Sequence, residues 1–342
     1  MPESEYLTPA GPDTPGGVLP AALRRAAAAG AACLRAGGLV VFPTETVYGL
    51  GAVAANPRAV ARVFEVKNRP HFDPLIVHIA DPAQLDGIAA AIPPAARALA
   101  EKFWPGPLTL VLPKRGGVPD LVTAGLPSVA VRMPRHPLAF ELIRRTGAAL
   151  AAPSANRFGG ISPTTVAAAR AELREQVDLF LDGGPCAVGV ESTVVSLLEE
   201  QPVLLRPGGV ALEDLEKIAG PVRTAATDAQ RRRLTPGALP RHYAPGTPLR
   251  LWQPPAPPPD AARAALLTPF PVESASAFAQ VAVLAPDHDL RAAAANLFAA
   301  LRRLDDAGAA CIYACLAPEE GLGRAINDRL RRAAMSLNDA EV

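Results

Sequence analysis

Leu39-Val-Val-Phe42 runs directly into Pro43-Thr44-Glu45-Thr46-Val47-Tyr48-Gly49-Leu50-Gly51. The first four residues are a short apolar run of the kind that becomes a buried strand. The hydroxyls and the acid at its end stand where ligands bind in α/β folds, just beyond a strand terminus. The glycines that follow read as a tight turn admitting close backbone approach. Gly49-Leu-Gly51-Ala-Val-Ala54 also fits a loosened dinucleotide fingerprint. Asn56-Pro57 falls where the helix of that motif should already be running, which favours the turn. Pro57–Val66 then has helical patterning, with Pro57 at a first-turn position.

The same alternation extends outward to about Ala21 and Gly220. Apolar runs recur at Leu75–Ile79, Leu108–Leu112, Val129–Met133, Ala149–Ala152, Val177–Leu181 and Thr193–Leu197. Helical stretches at Pro94–Phe103, Pro137–Thr146 and Thr164–Leu173 separate several of them. Short strands alternating with helices predict an α/β domain built on a twisted mixed sheet, over residues 18–220. Residues 1–17 read as a loose tail. Residues 221–260 are Pro-dense and read as an extended linker. Residues 261–342 predict a smaller α/β domain, with strands near Val281–Ala285 and Ala310–Leu316 and helices at Leu290–Ala307 and Leu322–Ala334.

The 342 residues are 49% hydrophobic and 20% charged, which is a folded globular composition. A net charge of +1 argues against gripping duplex nucleic acid by charge alone. The only lysines are Lys67, Lys102, Lys114 and Lys217, against a background rich in arginine. The four cysteines form no zinc or disulfide pattern, and Cys311 and Cys315 read as core thiols. With no apolar run of membrane length and no basic-then-apolar leader, the expected location is the cytoplasm.

Several strand ends carry polar chemistry. Lys67-Asn-Arg69-Pro70 puts two cations at a helix exit, able to clasp polyphosphate oxygens or merely to cap the helix. As loop cations they would contribute little to folding. His78 alternates out of an apolar strand. Arg132, at the end of a buried-looking strand, needs an anionic partner, either a core carboxylate or a substrate anion. Ser154 and Asn156 end another run, and Ser162 follows Gly159-Gly160 as an N-cap or part of an anion site. Val190-Glu191-Ser192-Thr193 and Leu205-Arg206-Pro207-Gly208 repeat the theme. There is no Ser-His-Asp order and no metal-ligand cluster. The constellation fits a pocket for a triphosphate plus a small carboxylate-bearing molecule.

Pro43–Gly51, Lys67–Pro70, Pro74–Ile79, Trp104–Thr109, Val129–Pro134, Pro153–Asn156 and Val190–Thr193, in that order, resemble the threonylcarbamoyl-AMP synthase family with its YrdC-like fold. Arg206-Pro-Gly208 and His242-Tyr-Ala-Pro245 resemble its two-domain members, whose C-terminal extension is a small Rossmann-like domain. The resemblance implies that L-threonine, bicarbonate and ATP give threonylcarbamoyl-AMP and pyrophosphate, in a nucleotidyltransferase reaction. The product would feed a downstream tRNA-modifying transferase complex.

By that resemblance Lys67 and Arg69 act on the triphosphate as the catalytic pair. Thr44, His78, Arg132, Ala152 and Ser192 hold threonine, Arg132 through its carboxylate. Ser128, Ser154, Asn156, Ser162, Arg206, His242 and Tyr243 line the nucleotide site. Mg2+ would be bound mainly through ATP phosphates, with no protein metal site. The linker would be a lid carrying His242 and Tyr243, or else a spacer packed on the second domain. Ala238-Leu239-Pro240-Arg241 departs from the related linkers. Two other readings are an RNA-binding module, suggested by Arg231–Arg233, and a carbamoyl-adenylate-handling carbamoyltransferase domain.

Overall fold

A computed structural model of the chain describes residues 19–225 and 242–335. The opening run becomes strand β1 (Val40–Phe42), and its side chains alternate between two cores. Leu39 and Val41 enter one cluster, Val40 and Phe42 the other, as the two-residue period of a strand requires.

Gly49–Val53 is not a tight turn. It is a strand, β2, pairing antiparallel with β1, and Gly51 has no room for a Cβ, which would lie 2.7 Å from the Phe42 ring. The glycines are there for close approach, but across a sheet rather than around a bend.

The large sheet continues with β3 (Ile76–His78), β4 (Leu108–Pro113), β5 (Ser128–Arg132), β6 (Leu150–Ala151), β7 (Leu179–Phe180), β8 (Thr193–Ser196), β9 (Val203–Arg206) and β10 (Arg223–Thr224). Its order is β10-β9-β8-β4-β5-β3-β6-β2-β1-β7, with parallel and antiparallel neighbours, so the expected mixed sheet is present. Helices cover both faces. α1 (Ala21–Arg35) and α6 (Pro137–Thr146) pack in one cluster. α2 (Pro57–Lys67) and α4 (Pro94–Phe103) pack in the other. Pro57, Pro94 and Pro137 all sit in first turns. Short helices α3 (Leu85–Ile88) and α5 (Asp120–Thr123), then α7 (Val166–Leu173) and α8 (Leu212–Ala219), complete this part.

The second sheet holds β11 (Leu249–Leu251), β12 (Ala265–Thr268), β13 (Gln280–Val283) and β14 (Ile312–Ala314), all parallel, in the order β11-β14-β12-β13. β11 lies within the span read as linker, so this sheet starts at Leu249. α9 (Leu290–Asp306) and α10 (Gly323–Ala334) pack on one face. Cys311 and Cys315 are buried in a cluster on the opposite side. The core under α9 and α10 does not stop at the domain edge: Val47, Ile161, Val190 and Tyr243 belong to the same cluster. Arg231–Arg233 and Ala238–Arg241 lie outside the described residues.

Candidate active site

The strand register builds the site. Arg132 stands opposite His78 of β3 on one side and Thr109 of β4 on the other. A cavity of about 50 Å³ opens there, lined by Thr44, Thr46, Gly49, Arg69, Ile76, His78, Arg132, Ala152, Ser154, Glu191, Ser192, Arg206, His242 and Tyr243, among others. Ten of the fourteen residues expected at the site from the sequence therefore meet around one space.

The other four do not line it. Ser128 begins β5 and is buried opposite Pro113, four residues from Arg132, which is about 13 Å along a strand. Lys67 and Asn156 stand immediately behind the wall. Ser162 is not the helix N-cap, a position Thr165 fills. Its hydroxyl instead donates to Glu191 Oε1 at 2.5 Å.

Lys67 and Arg69 are not loop cations at a solvent-exposed helix exit. Both are buried. Asn68 takes a left-handed conformation (φ 51°) that ends α2 and turns Arg69 inward. Lys67 Nζ donates to the carbonyls of Ser154, at 2.5 Å, and Asn156. Burial, and then the nearby Arg69, push the Lys67 ammonium well below its ordinary pKa. Arg69 pairs with Asp73 at 2.9 Å and donates to the Asp73 and Pro74 carbonyls. These bonds contradict the picture of exposed loop cations on which the expected small contribution to folding rested.

For Arg132 the anionic partner is a core carboxylate. Nη2 meets Glu45 Oε1 at 2.7 Å, Nη1 donates to Thr46 Oγ1 at 2.9 Å, and Nε to the Gly106 carbonyl at 3.2 Å. Burial works against the Glu45 charge, but Arg132 overcomes it and holds the carboxyl below its usual range. For His78 the help from the Ile76 carbonyl and Glu45 is too small. Burial and then Arg132 push it down to a pKa of about 3, so it is neutral at pH 7, with Nδ1 3.1 Å from the Ile76 carbonyl.

Thr44 Oγ1 is engaged with Thr46 Oγ1 and the Val47 carbonyl. Ser192 Oγ lies 2.7 Å from Thr109 Oγ1, and Arg206 reaches both its hydroxyl and its carbonyl. His242 packs edge-on to Phe158, and Tyr243 stacks on Phe298 of α9 at 5.6 Å. Tyr243 thus both lines the cavity and packs on the second domain, uniting two alternatives that the sequence set apart.

Four buried polar atoms around this region have no partner: Asn156 Oδ1, His242 Nδ1, Tyr243 Oη and Arg329 Nη2. Buried polar groups are nearly always satisfied, so these atoms are ones that water or a ligand entering the cavity could satisfy. Among the described residues no group of three or more His, Cys, Asp and Glu side chains is arranged to hold a metal. No helix among them is long and apolar enough to cross a membrane.

A family model named Sua5/YciO/YrdC and described as "Telomere recombination" matches residues 32–208. A second, described as "Threonylcarbamoyl-AMP synthase, C-terminal domain", matches residues 210–335. The chain belongs to the threonylcarbamoyl-AMP synthase family. A member from Pyrococcus abyssi is 42% identical over 314 residues, covering 88% of this chain and 92% of that protein. One from Bacillus subtilis is 41% identical over 319 residues, covering 89% and 91%. The crystal structure of P. abyssi Sua5 complexed with L-threonine superposes with a TM-score of 0.83 at 40% identity, over 91% of this chain and 94% of that one.

Sequence reasoning assigned no role to Glu45, Thr46, Thr109, Glu191 or Arg329. Glu45 and Glu191 were visible as acids beside hydroxyls at strand ends. Nothing in the helical pattern of Leu322–Ala334 singled out Arg329.

Proposed function

We propose that this chain condenses L-threonine, bicarbonate and ATP into threonylcarbamoyl-AMP and pyrophosphate, as a nucleotidyltransferase. The threonine amine adds to the bicarbonate carbon, water leaves, and the resulting carbamate oxygen attacks the α-phosphorus in line. Pyrophosphate is the leaving group. Such chemistry needs positioning and charge neutralisation more than a protein nucleophile. The observation that carries this reading is the one cavity that gathers Arg132, His78, Thr44 and Ser192 with Arg69, Arg206 and Tyr243.

In this scheme Lys67 and Arg69 serve the triphosphate. Arg132, Thr44, His78, Ala152 and Ser192 hold threonine, whose carboxylate shares the Arg132 guanidinium with Glu45. Neutral His78 can accept or donate a hydrogen bond without adding charge. Ser154, Asn156, Ser162, Arg206, His242 and Tyr243 serve the nucleotide, with Ser162 acting through Glu191. Glu45, Asp73 and Glu191 are already paired with arginines. Mg2+ would therefore bind through phosphate oxygens and water.

A cavity of about 50 Å³ is small beside the roughly 300–1,000 Å³ of ordinary ligand pockets. ATP would enter while His242 and Tyr243 swing aside and would be covered again when they return, which makes the segment they begin a lid over a water-sensitive intermediate. The adenylate would pass to a tRNA-modifying complex in the cytoplasm.

The decisive experiment is pyrophosphate release by the purified protein. It should require ATP, threonine and bicarbonate together, and equal release without threonine would reject the assignment. Protease cleavage between Ala225 and His242 should slow when ATP and threonine are added, and ligand-independent cleavage would leave the strap a spacer.

A further inference from the structure

The loop from Val188 to Ser192 carries one wall of the cavity, and the second domain grips it at three points. Gly189 adopts φ +71° and lies so close to α9 that a Cβ would sit 2.4 Å from Ala295 Cα. Val190 is fully buried in the core shared with α9 and α10. Glu191 Oε2 meets Arg329 Nε of α10 at 2.8 Å.

Arg329 is 1% exposed. It also donates to the Pro207 carbonyl at 2.8 Å, pairs with Asp328 at 2.8 Å, and lies 5.1 Å from the Tyr243 ring centroid. Its Nη2 is buried without a partner.

We propose that Arg329 is a positioning residue of the active site. In this role the C-terminal domain supplies the charge that neutralises Glu191 and the surface that seats Tyr243, so that an anionic nucleotide can bind. The inference rests on the assignment of the nucleotide to this cavity. Glu191 lines the cavity itself. Without Arg329 it would face a polyphosphate as a buried, unpaired carboxylate, a costly arrangement. With Arg329 the pair is close to neutral, and the guanidinium stacks on Tyr243 to hold the lid residue in register.

The test is equilibrium binding of ATP to the full-length protein by calorimetry, without threonine, alongside steady-state synthesis. Arg329→Met should weaken ATP binding by about 30-fold, the scale of one charge-assisted hydrogen bond. Threonine KM should change much less. Glu191→Gln combined with Arg329→Met should recover most of the lost ATP affinity, because the uncompensated charge is gone. A merely structural arginine would show no such recovery. Unchanged ATP affinity in Arg329→Met, or a double variant as weak as the single, would overturn the proposal.

If Arg329→Met has no thermal unfolding transition, Glu191→Gln alone decides. It leaves excess positive charge and should bind ATP several-fold more tightly, and equal or weaker binding overturns the proposal. Because ATP binding is read separately from synthesis, failure here is distinguishable from failure of the threonylcarbamoyl-AMP assignment, in which wild-type protein would bind ATP but release no pyrophosphate.

Discussion

Two walls face each other across the cavity, and they solve the same electrostatic problem differently. On one wall each cation is satisfied close by in the fold. Arg69 pairs with Asp73 four residues later, Lys67 caps two carbonyls of the 154–156 turn, and Arg132 meets Glu45 of the loop between β1 and β2. On the other wall Glu191, His242 and Tyr243 depend on α10 and α9, which lie beyond the strap. There more of the polar accounting is open, with orphaned atoms on His242, Tyr243 and Arg329 against Asn156 Oδ1 on the first wall. The contrast separates a cradle satisfied within the first domain from a wall assembled between domains, and the proposed lid motion concerns the second.

The largest effect should come from breaking the cradle. Lys67→Ala should cut synthesis by about 100-fold or more, the scale of one preorganised charge contact. It should also cost about 2 kcal/mol of stability, because two buried carbonyls lose their donor. Thermal unfolding measured beside turnover checks both, and an unchanged melting temperature would mean that the carbonyls find water instead.

Gly189→Ala attacks the seam between the domains. Strain at positive φ and overlap with α9 should together cost about 3 kcal/mol. Gly147 has a similar φ of +72° but open space around its Cβ, so Gly147→Ala should cost only about 1 kcal/mol and leave synthesis intact. Equal destabilisation of the two variants would show that the seam carries no packing constraint.

Acid should loosen the cradle next. The folded pKa of His78, about 3, lies below the ordinary 6.5. The unfolded chain therefore binds more protons in that window, and stability falls as pH drops from 6.5 toward 3. Between pH 7.5 and 5 this one group should remove about 2 kcal/mol. Urea denaturation at the two pH values measures it, and His78→Gln should remove its share of the dependence, leaving that of His242 and His136, whose pKa values burial also lowers.

Arg132→Lys keeps the charge and loses the fork. Threonine KM should rise about 10-fold, as expected for one lost charged hydrogen bond, with ATP KM little changed. If ATP KM moves instead, Arg132 serves the nucleotide. The smallest effect belongs to Tyr243→Phe. The hydroxyl has no protein partner, so stability should be unchanged, while ATP affinity should fall by a few-fold, as for one neutral hydrogen bond. Loss of stability without loss of ATP affinity would assign Tyr243 to packing alone.

Most of the mixed sheet was legible from short apolar runs bounded by turn residues, and so were the first-turn prolines. β2 was misread because Gly-Leu-Gly lacks β-branched residues and its strand character comes from packing against Phe42. β11 and β12 were hidden by proline-rich surroundings and by alanine, which carries little β signal.

The sequence by itself determined the kind of chemistry: hydroxyls, amides and cations at strand ends, in an order that marks the family. That information is local, because a strand end and its next few residues are contiguous in the chain. Only the tertiary structure decided which charges neutralise which. It put Lys67 and Arg69 in the interior, gave Arg132 to Glu45 and left Ser128 at the far end of its strand. It also brought Arg329 to Glu191 across 138 residues. Pairing at that separation leaves no periodic trace in the chain. It follows from strand register and domain docking, which are set by the packing of both cores at once.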